Sequence, residues 1–500
     1  MAASSIPMPK DADDAALKAI DEVRLQDPHL PRPDAMPMVA GPGPLTLSRA
    51  VEVAIANNNL MQALREGARA TALGMIAAQR NYYPQWRAQL NAVHSDAGVT
   101  FNGIHSADQY SNSFQSLGFT QQLPFGGNLS LDFGGSFADS SNTADSSYSP
   151  RAVLSLTQPL LSGAGRDLQQ EPLVRAKRNV VYALRGYRQQ QEDFAISAIN
   201  DFLTIQVLSA KLQNLQARRE AVDFLARKQQ TFFKLGRETE LEALRATQEC
   251  LMVQQQLLDM DLDRRNRVEQ FWIATLNLPF KNSVSLADFP IPYRKLQISS
   301  DKAVQTAMER RPDLQTAADL LEDSQRALKF AQRNLLPDLE LNVSANVSNA
   351  NFLTSNGATY ENYTAGLTMS LPLESTAQRL ALYTCWLAVR QNERALAYNR
   401  TSISASIRSS INRIKLIESA LEIQESIIQS GGKRVAAAQF LLERGQVSNR
   451  EVIDADNIRI SAINTKLDLQ MDHYVALLRL ERDMGVFDRD QPSLFATTKP

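Results

Sequence analysis

Cysteine is nearly absent from this chain. Cys250 and Cys385 are the two in 500 residues, and their spacing excludes both a disulfide framework and a thiolate metal site. Histidine is scarce as well: His29, His94, His105 and His473 stand in four separate contexts, with no His-Glu-x-x-His or related ligand spacing. Neither sign of charge is in excess. With 53 basic and 54 acidic residues the net charge is −1, which leaves no basic face for a nucleic acid. Long hydrophobic runs are missing too, since no window approaches the roughly 18 apolar residues of a membrane-spanning helix. If the chain enters a membrane, it does so by strands. The phosphate-loop lookalikes Gly163-Ala164-Gly165-Arg166 and Gly431-Gly432-Lys433-Arg434 lack the full Gly-x-x-x-x-Gly-Lys-Ser/Thr pattern, and Asp259-Met260-Asp261-Leu262-Asp263 lacks the glycine and terminal glutamate of a calcium loop. No catalytic constellation remains, and neither an enzyme nor a cofactor is expected.

What is present is a duplication. Arg80-Asn81-Tyr82-Tyr83-Pro84 recurs as Arg333-Asn334-Leu335-Leu336-Pro337, and the same offset of 253 residues carries Ala50, Val51 and Ala54 onto Ala303, Val304 and Ala307. Leu47 to Tyr83 reads as one alanine-rich helix capped by Ser48 or Thr46. At each proline the pattern switches to a two-residue alternation, the period of a strand. After Pro337 the apolar set is Leu339, Leu341, Val343, Ala345 and Val347; after Pro84 it is Trp86, Ala88, Leu90 and Ala92, in a strand from Gln85 to Val93. The return strands hold Ala152, Leu154 and Leu156 in the first half and Ala365, Leu367 and Met369 in the second. They exit through Thr157-Gln158-Pro159-Leu160 and Ser370-Leu371-Pro372-Leu373.

The first half is longer by about 40 residues between its two prolines. The surplus contains two more alternating runs, Leu117 to Leu123 and Leu129 to Phe137, joined by the turn signal Pro124-Phe125-Gly126-Gly127. It reads as an additional hairpin, either a flap or part of the sheet. The polar run from Asp139 to Ser147 that follows places its loop in water.

Beyond each exit, and past Pro172 in the first half, lies a helical tract of 60 to 70 residues, about 100 Å long at 1.5 Å per residue. Its apolar positions run at coiled-coil spacing: Phe202, Ile205, Leu208, Leu212 and Leu215, then Ile403, Ile407, Ile411, Ile414, Ile417 and Leu421. The tracts end at Gly236 and Gly445, glycines suited to a left-handed C-cap, and Thr239 and Ser448 stand three residues on as N-caps of returning helices. The domain reading is a proline-rich arm at 1–45, with no basic and apolar signal-peptide pattern, a first repeat at 46–277, a connector at 278–297, a second repeat at 298–485 and a tail at 486–500.

Two tandem copies of helix, strand pair, proline exit, very long helix, glycine tip and returning helix resemble the TolC-type outer membrane efflux protein family. The likeness covers about residues 46–485. It rests on Asn81 to Pro84 and Asn334 to Pro337, on Thr157-Gln158-Pro159-Leu160-Leu161, and on the two glycine tips. The resemblance implies an α+β membrane protein: a trimeric transmembrane β-barrel continued by a long antiparallel α-helical coiled-coil tunnel through the periplasm. It also implies an outer-membrane location and a passive exit duct served by a periplasmic adaptor protein and an inner-membrane pump. Independently, four to six strands cannot close a lumen-bearing barrel in lipid, so membrane strands here require oligomerisation. Three copies would give twelve strands, or eighteen if the extra hairpin joins the wall. By the family pattern a constriction falls on Glu451 and Asp454, with Glu242 the first-half counterpart of Glu451; threefold symmetry would make carboxylate rings of them. Val447 stands where the family can carry a basic partner. Adaptor contacts fall on Leu235, Gly236, Arg237 and Thr239, and on Arg444, Gly445, Gln446 and Ser448. The competing reading is a coiled-coil scaffold of the cell envelope that hides its sheets inside protein.

Overall fold

The computed structural model describes residues 44–101, 104–140, 147–237, 239–279, 286–349, 358–444 and 446–487. Most of the expected arm and tail, the loop at 141–146 and Gly445 lie outside the described residues. By compactness the chain divides into two units, each drawing on both halves. Ala68–Ala183 and Thr316–Leu396 make one; the described parts of Pro28–Gly67, Leu184–Gln315 and Ala397–Pro500 make the other.

The duplication is visible in the elements. Helices α1 (Leu47–Asn57) and α2 (Asn59–Arg80) recur as α5 (Ser300–Arg310) and α6 (Pro312–Arg333), with every boundary displaced by the same 253 residues. The single helix expected from Leu47 to Tyr83 is therefore two, and the break has a different cause in each copy. In the second, Arg311 precedes Pro312, whose ring drives its neighbour out of the α region to φ −68°, ψ 121°. In the first, Asn58 takes φ −65°, ψ 128°; its Oδ1 accepts from the Leu60 N–H at 2.9 Å while its Nδ2 donates to the Ala274 carbonyl at 3.2 Å. An asparagine side chain thus does locally what proline does in the other copy. Thr46 occupies the N-cap of α1 without a side-chain capping bond.

The sheet-bearing unit carries six antiparallel strands in chain order: β1 (Gln85–Phe101), β2 (Ile104–Gln122), β3 (Asn128–Ser140), β4 (Ser147–Pro159), β5 (Asp338–Asn349) and β6 (Thr359–Ser370). The first strand extends well past the expected Val93. The additional hairpin is β2–β3, inserted between β1 and β4 and hydrogen-bonded on both sides. Because register fixes which face a side chain takes, the alternating sets line up across the ladder. Trp86 opposes Phe119, Phe119 opposes Leu131, Leu131 opposes Leu154, and Leu154 opposes Ala345, which opposes Tyr363. One face of the sheet is predominantly apolar from edge to edge.

The long helices are α3 (Arg166–Lys234), α4 (Glu240–Gln270), α7 (Thr376–Glu443) and α8 (Asn449–Asp483), with a π-helical turn at Phe271–Thr275 after α4. Helix α3 begins six residues before Pro172, earlier than expected, so the proline sits in its second turn and leaves one i→i−4 hydrogen bond of the ladder unmade. In the helical unit the seam of α7 is buried as its spacing predicts, at Ile403, Ile407, Ile411, Ile414, Ile417 and Leu421. On α3, Phe202, Ile205 and Leu215 are buried, whereas Leu208 and Leu212 are half-buried. Phe202 meets Phe271 edge-on at 6.2 Å, in a core shared with Val51, Ala54, Trp272 and Leu478. No helix among the described residues is long and apolar enough to cross a membrane.

Candidate functional site

The first tip is built by Gly236, whose φ of +69° is a conformation that glycine adopts without a Cβ penalty. Its N–H donates to the Phe233 carbonyl and that of Arg237 to Phe232, both at 2.9 Å, which closes α3 with a Schellman turn. Leu235 is exposed. Thr239 then N-caps α4, its hydroxyl accepting from the Glu242 N–H at 3.4 Å. At the second tip Gln446 donates to the Leu441 carbonyl at 3.0 Å, the same six-to-one closure, with Gly445 outside the described residues. The Arg444 guanidinium lies 4.0 Å from the centre of the Phe440 ring. Ser448 is the N-cap of α8 but makes no side-chain cap bond; its carbonyl accepts from Glu451 at 3.2 Å.

Of the carboxylates expected at a constriction, Glu451 and Glu242 lie in the first turns of α8 and α4, and Asp454 lies one turn further along α8. Glu451 faces Arg434 of α7 at 3.5 Å, and Asp454 faces Arg450 at 3.5 Å. All four side chains are about half exposed or more, so each pair stabilises by at most about 1 kcal/mol and opens readily. Glu242 sits on the other hairpin, against Arg245 at 2.7 Å. Sequence reasoning missed Arg434. Val447 offers no base near Glu451, but Arg434 reaches it across the hairpin from the glycine stretch that mimics a phosphate loop, which is interior to α7. Gly431 in that stretch permits close approach, since a Cβ there would lie 3.3 Å from the Arg459 Cβ.

A second feature escaped the seam assignment. Helix α4 buries Ala243, Ala246 and Val253 against α3, with Cys250, Leu257 and Met260 half-buried on the same seam. It also carries a parallel stripe, Leu241, Leu244, Leu251, Leu258 and Leu262, in which every leucine is more than half exposed. The three- and four-residue steps were legible in the sequence; only the structure shows that one of the two seams is occupied. A groove of about 610 Å³ is lined along α7 by Ser419, Ile423, Ser426, Ser430 and Gly431 together with the charged Glu422 and Arg434, and by Ile458 of α8.

The sheet presents the remaining surface. Trp86, Leu90, Leu117, Phe133, Leu154 and Leu367 on its apolar face are all exposed, between 45% and 79%. On the opposite face Arg87 reaches Asp132 at 3.5 Å across Gly118. A Cβ at Gly118 would fall 2.4 Å from the Asp132 Oδ1, so the bridge requires glycine between the two. The sheet is open, with β1 and β6 as its edges.

A family model described as outer membrane efflux protein matches residues 303–486. The CmeC outer membrane channel of Campylobacter jejuni superposes with a TM-score of 0.66 at 14% identity, covering 89% of this chain and 87% of that one. The second half of the chain thus matches the outer membrane efflux protein family, and most of its length shares the fold of a solved outer membrane channel. The outer membrane protein VceC of Vibrio cholerae is equally similar in fold, with a TM-score of 0.66, 12% identity, and coverage of 88% and 96%. The alkaline protease secretion protein AprF of Pseudomonas aeruginosa is 23% identical over 197 residues, a stretch that spans 38% of this chain and 40% of that relative. The family match lies in the second half of the chain, whose strand pair lacks the inserted hairpin.

Proposed function

We propose that this chain is the outer-membrane exit duct of a tripartite efflux or type I secretion system. It forms a passive homotrimer that receives cargo from an inner-membrane pump through a periplasmic adaptor. The observation that carries the reading is a six-stranded sheet with one predominantly apolar, exposed face, its apolar rows running from strand to strand, and two open edges. Such a face is stable against lipid, and open edges in lipid must be closed by another chain. The leucine stripe on α4 supplies a matching demand in the helical unit: it fits the groove along α7 of a neighbouring copy as knobs fit holes. The family match over residues 303–486 and the AprF likeness support transport as the use of the duct. A buried envelope scaffold would cover the apolar sheet face with its own protein, which it does not.

In this reading the two tips meet the adaptor, and Glu451 and Asp454 form threefold carboxylate rings near the periplasmic end, with Arg434 and Arg450 as exposed partners that release them. Glu242 contributes from the first hairpin. The test is disulfide trapping in membranes, with Cys250 and Cys385 replaced by serine and cysteines placed at Ala88 or Ala92 on β1 and Ala365 on β6. Intermolecular bonds that yield covalent trimers on a non-reducing gel are expected. Monomers alone, or a protein that stays soluble without detergent, would overturn the proposal.

A further inference from the structure

We infer that the β2–β3 hairpin is lipid-facing barrel wall, so that three copies build an eighteen-strand barrel with a wide outer mouth suited to a bulky, hydrated cargo such as a polypeptide. This rests on the duct reading above. Three observations carry it. First, among the described residues β1 pairs with β2 alone and β4 with β3 and β5, so a wall built from β1, β4, β5 and β6 alone would require breaking the β1–β2 and β3–β4 ladders. Second, the hairpin is two-faced in the same sense as its neighbours. Leu117, Phe119, Leu131 and Phe133 continue the apolar rows of Trp86, Ala88, Leu154 and Ala152, and both Leu117 and Phe133 are more than half exposed. A plug inside the lumen would hold these side chains in water. The other face is mostly small and polar, with Ser116, Gly118, Ser130, Gly134 and Ser136 beside Asp132 and a single aromatic, Phe114, that lies under the Arg151 guanidinium, and Ser130 bonds its ladder partner Ser155 of β4 at 2.6 Å.

Third, the hairpin's turn is seated rather than free. Gly126 and Gly127 abut Gln169 and Gln158 so closely that a Cβ would lie 2.8 Å from one and 2.5 Å from the other, and Gln122 Nε2 donates to Gln169 Oε1 at 3.1 Å. Strand β2 moreover ends on Phe119-Thr120-Gln121, as β4 ends on Leu156-Thr157-Gln158. The hairpin repeats the exit of a wall strand.

With strands about 4.8 Å apart and tilted about 40°, eighteen strands enclose about 36 Å between opposite backbones and twelve about 24 Å, roughly a twofold difference in cross-section. The experiment uses the full chain, reconstituted in vesicles of phospholipid bearing an acyl-chain diazirine, and maps adducts by mass spectrometry after illumination. Adducts on Leu117, Phe119, Leu131 and Phe133 at the level of Leu90 and Leu154 are expected. Adducts on β1 and β4–β6 but none on the hairpin would overturn this inference and leave the duct standing, whereas a protein free of adducts everywhere would overturn both. A second variant lacks residues 104–140; removing two strands leaves β1 and β4 antiparallel, and electron microscopy is expected to show its barrel narrowed by about a third. An unchanged width would also overturn the inference, and the labelling of the intact chain decides it should the deletion not fold.

Discussion

Glu481, near the end of α8, is 2% exposed, and its Oε2 has no hydrogen-bond partner among the described residues. Burial pushes its carboxyl from the ordinary 4.5 up to about 7. Because the folded state holds the proton more tightly than the unfolded one, the stabilisation is fully present below pH 4.5 and is lost as pH rises through 7. Glu481→Gln should therefore leave stability unchanged near pH 4.5 and raise it at pH 8 by on the order of 3 kcal/mol, as read by urea unfolding at the two pH values. An equal effect at both would show that packing, not ionisation, sets the difference. In the sheet-bearing unit Arg178 lies 3.0 Å from Asp323 and 2.9 Å from Glu322, and Tyr182 donates to Asp323 at 2.7 Å. The Tyr182 hydroxyl is held well above its usual range, first by burial and then by that bond. Arg178→Ala leaves Asp323 with Arg326 and Tyr182 as partners and should cost about 2 kcal/mol, measured as a lowered thermal midpoint, while Arg390→Ala, on an exposed i,i+3 pair, should cost under about 1 kcal/mol.

At the scale of elements, α4 shows how a helix can satisfy one partner and await another. Its seam toward α3 is filled with alanine and valine, and its second seam is leucine at heptad steps. Leu251→Glu with Leu258→Glu should leave the helical content of the chain unchanged by circular dichroism and abolish the trimer in detergent, read by light scattering. A trimer that survives both charges would place the interface elsewhere. The break at Asn58 makes a related point. An asparagine inside an alanine-rich run is a weak stop signal by itself, and its local cap is reinforced from afar: Asn58 and Asn277 tie the α1–α2 corner to the π-helical turn, with Asn277 at φ 51° and its Nδ2 on the Asn57 carbonyl at 3.0 Å. The second copy's break was legible in Pro312 alone.

For the whole molecule, the proposed rings carry the sharpest functional prediction. Glu451→Lys with Asp454→Lys should convert cation preference into anion preference in planar bilayers, because charged rings at a narrow point set the sign of the permeant ion. Unchanged selectivity would remove these residues from the constriction. Much of the architecture was readable in the chain. The constant offset gave paired helices, the alternation gave the strands, and the two glycines marked where the long helices turn back. Arg434 was not readable as a partner of Glu451, since 17 residues separate them and only the antiparallel hairpin brings them to 3.5 Å.

Local periodicity and backbone chemistry therefore determined which segments are strands, which are helices and where they reverse, because period two, period three-and-a-half and the left-handed glycine are properties of neighbouring residues. Whether the extra hairpin was a flap or part of the sheet depended on which edges found hydrogen-bond partners, and the ladder from β1 to β6 decided it. The same holds for the vacant leucine seam on α4 and the pairing of Glu451 with Arg434. Both depend on which face of a helix its neighbours cover, and only tertiary packing fixes that.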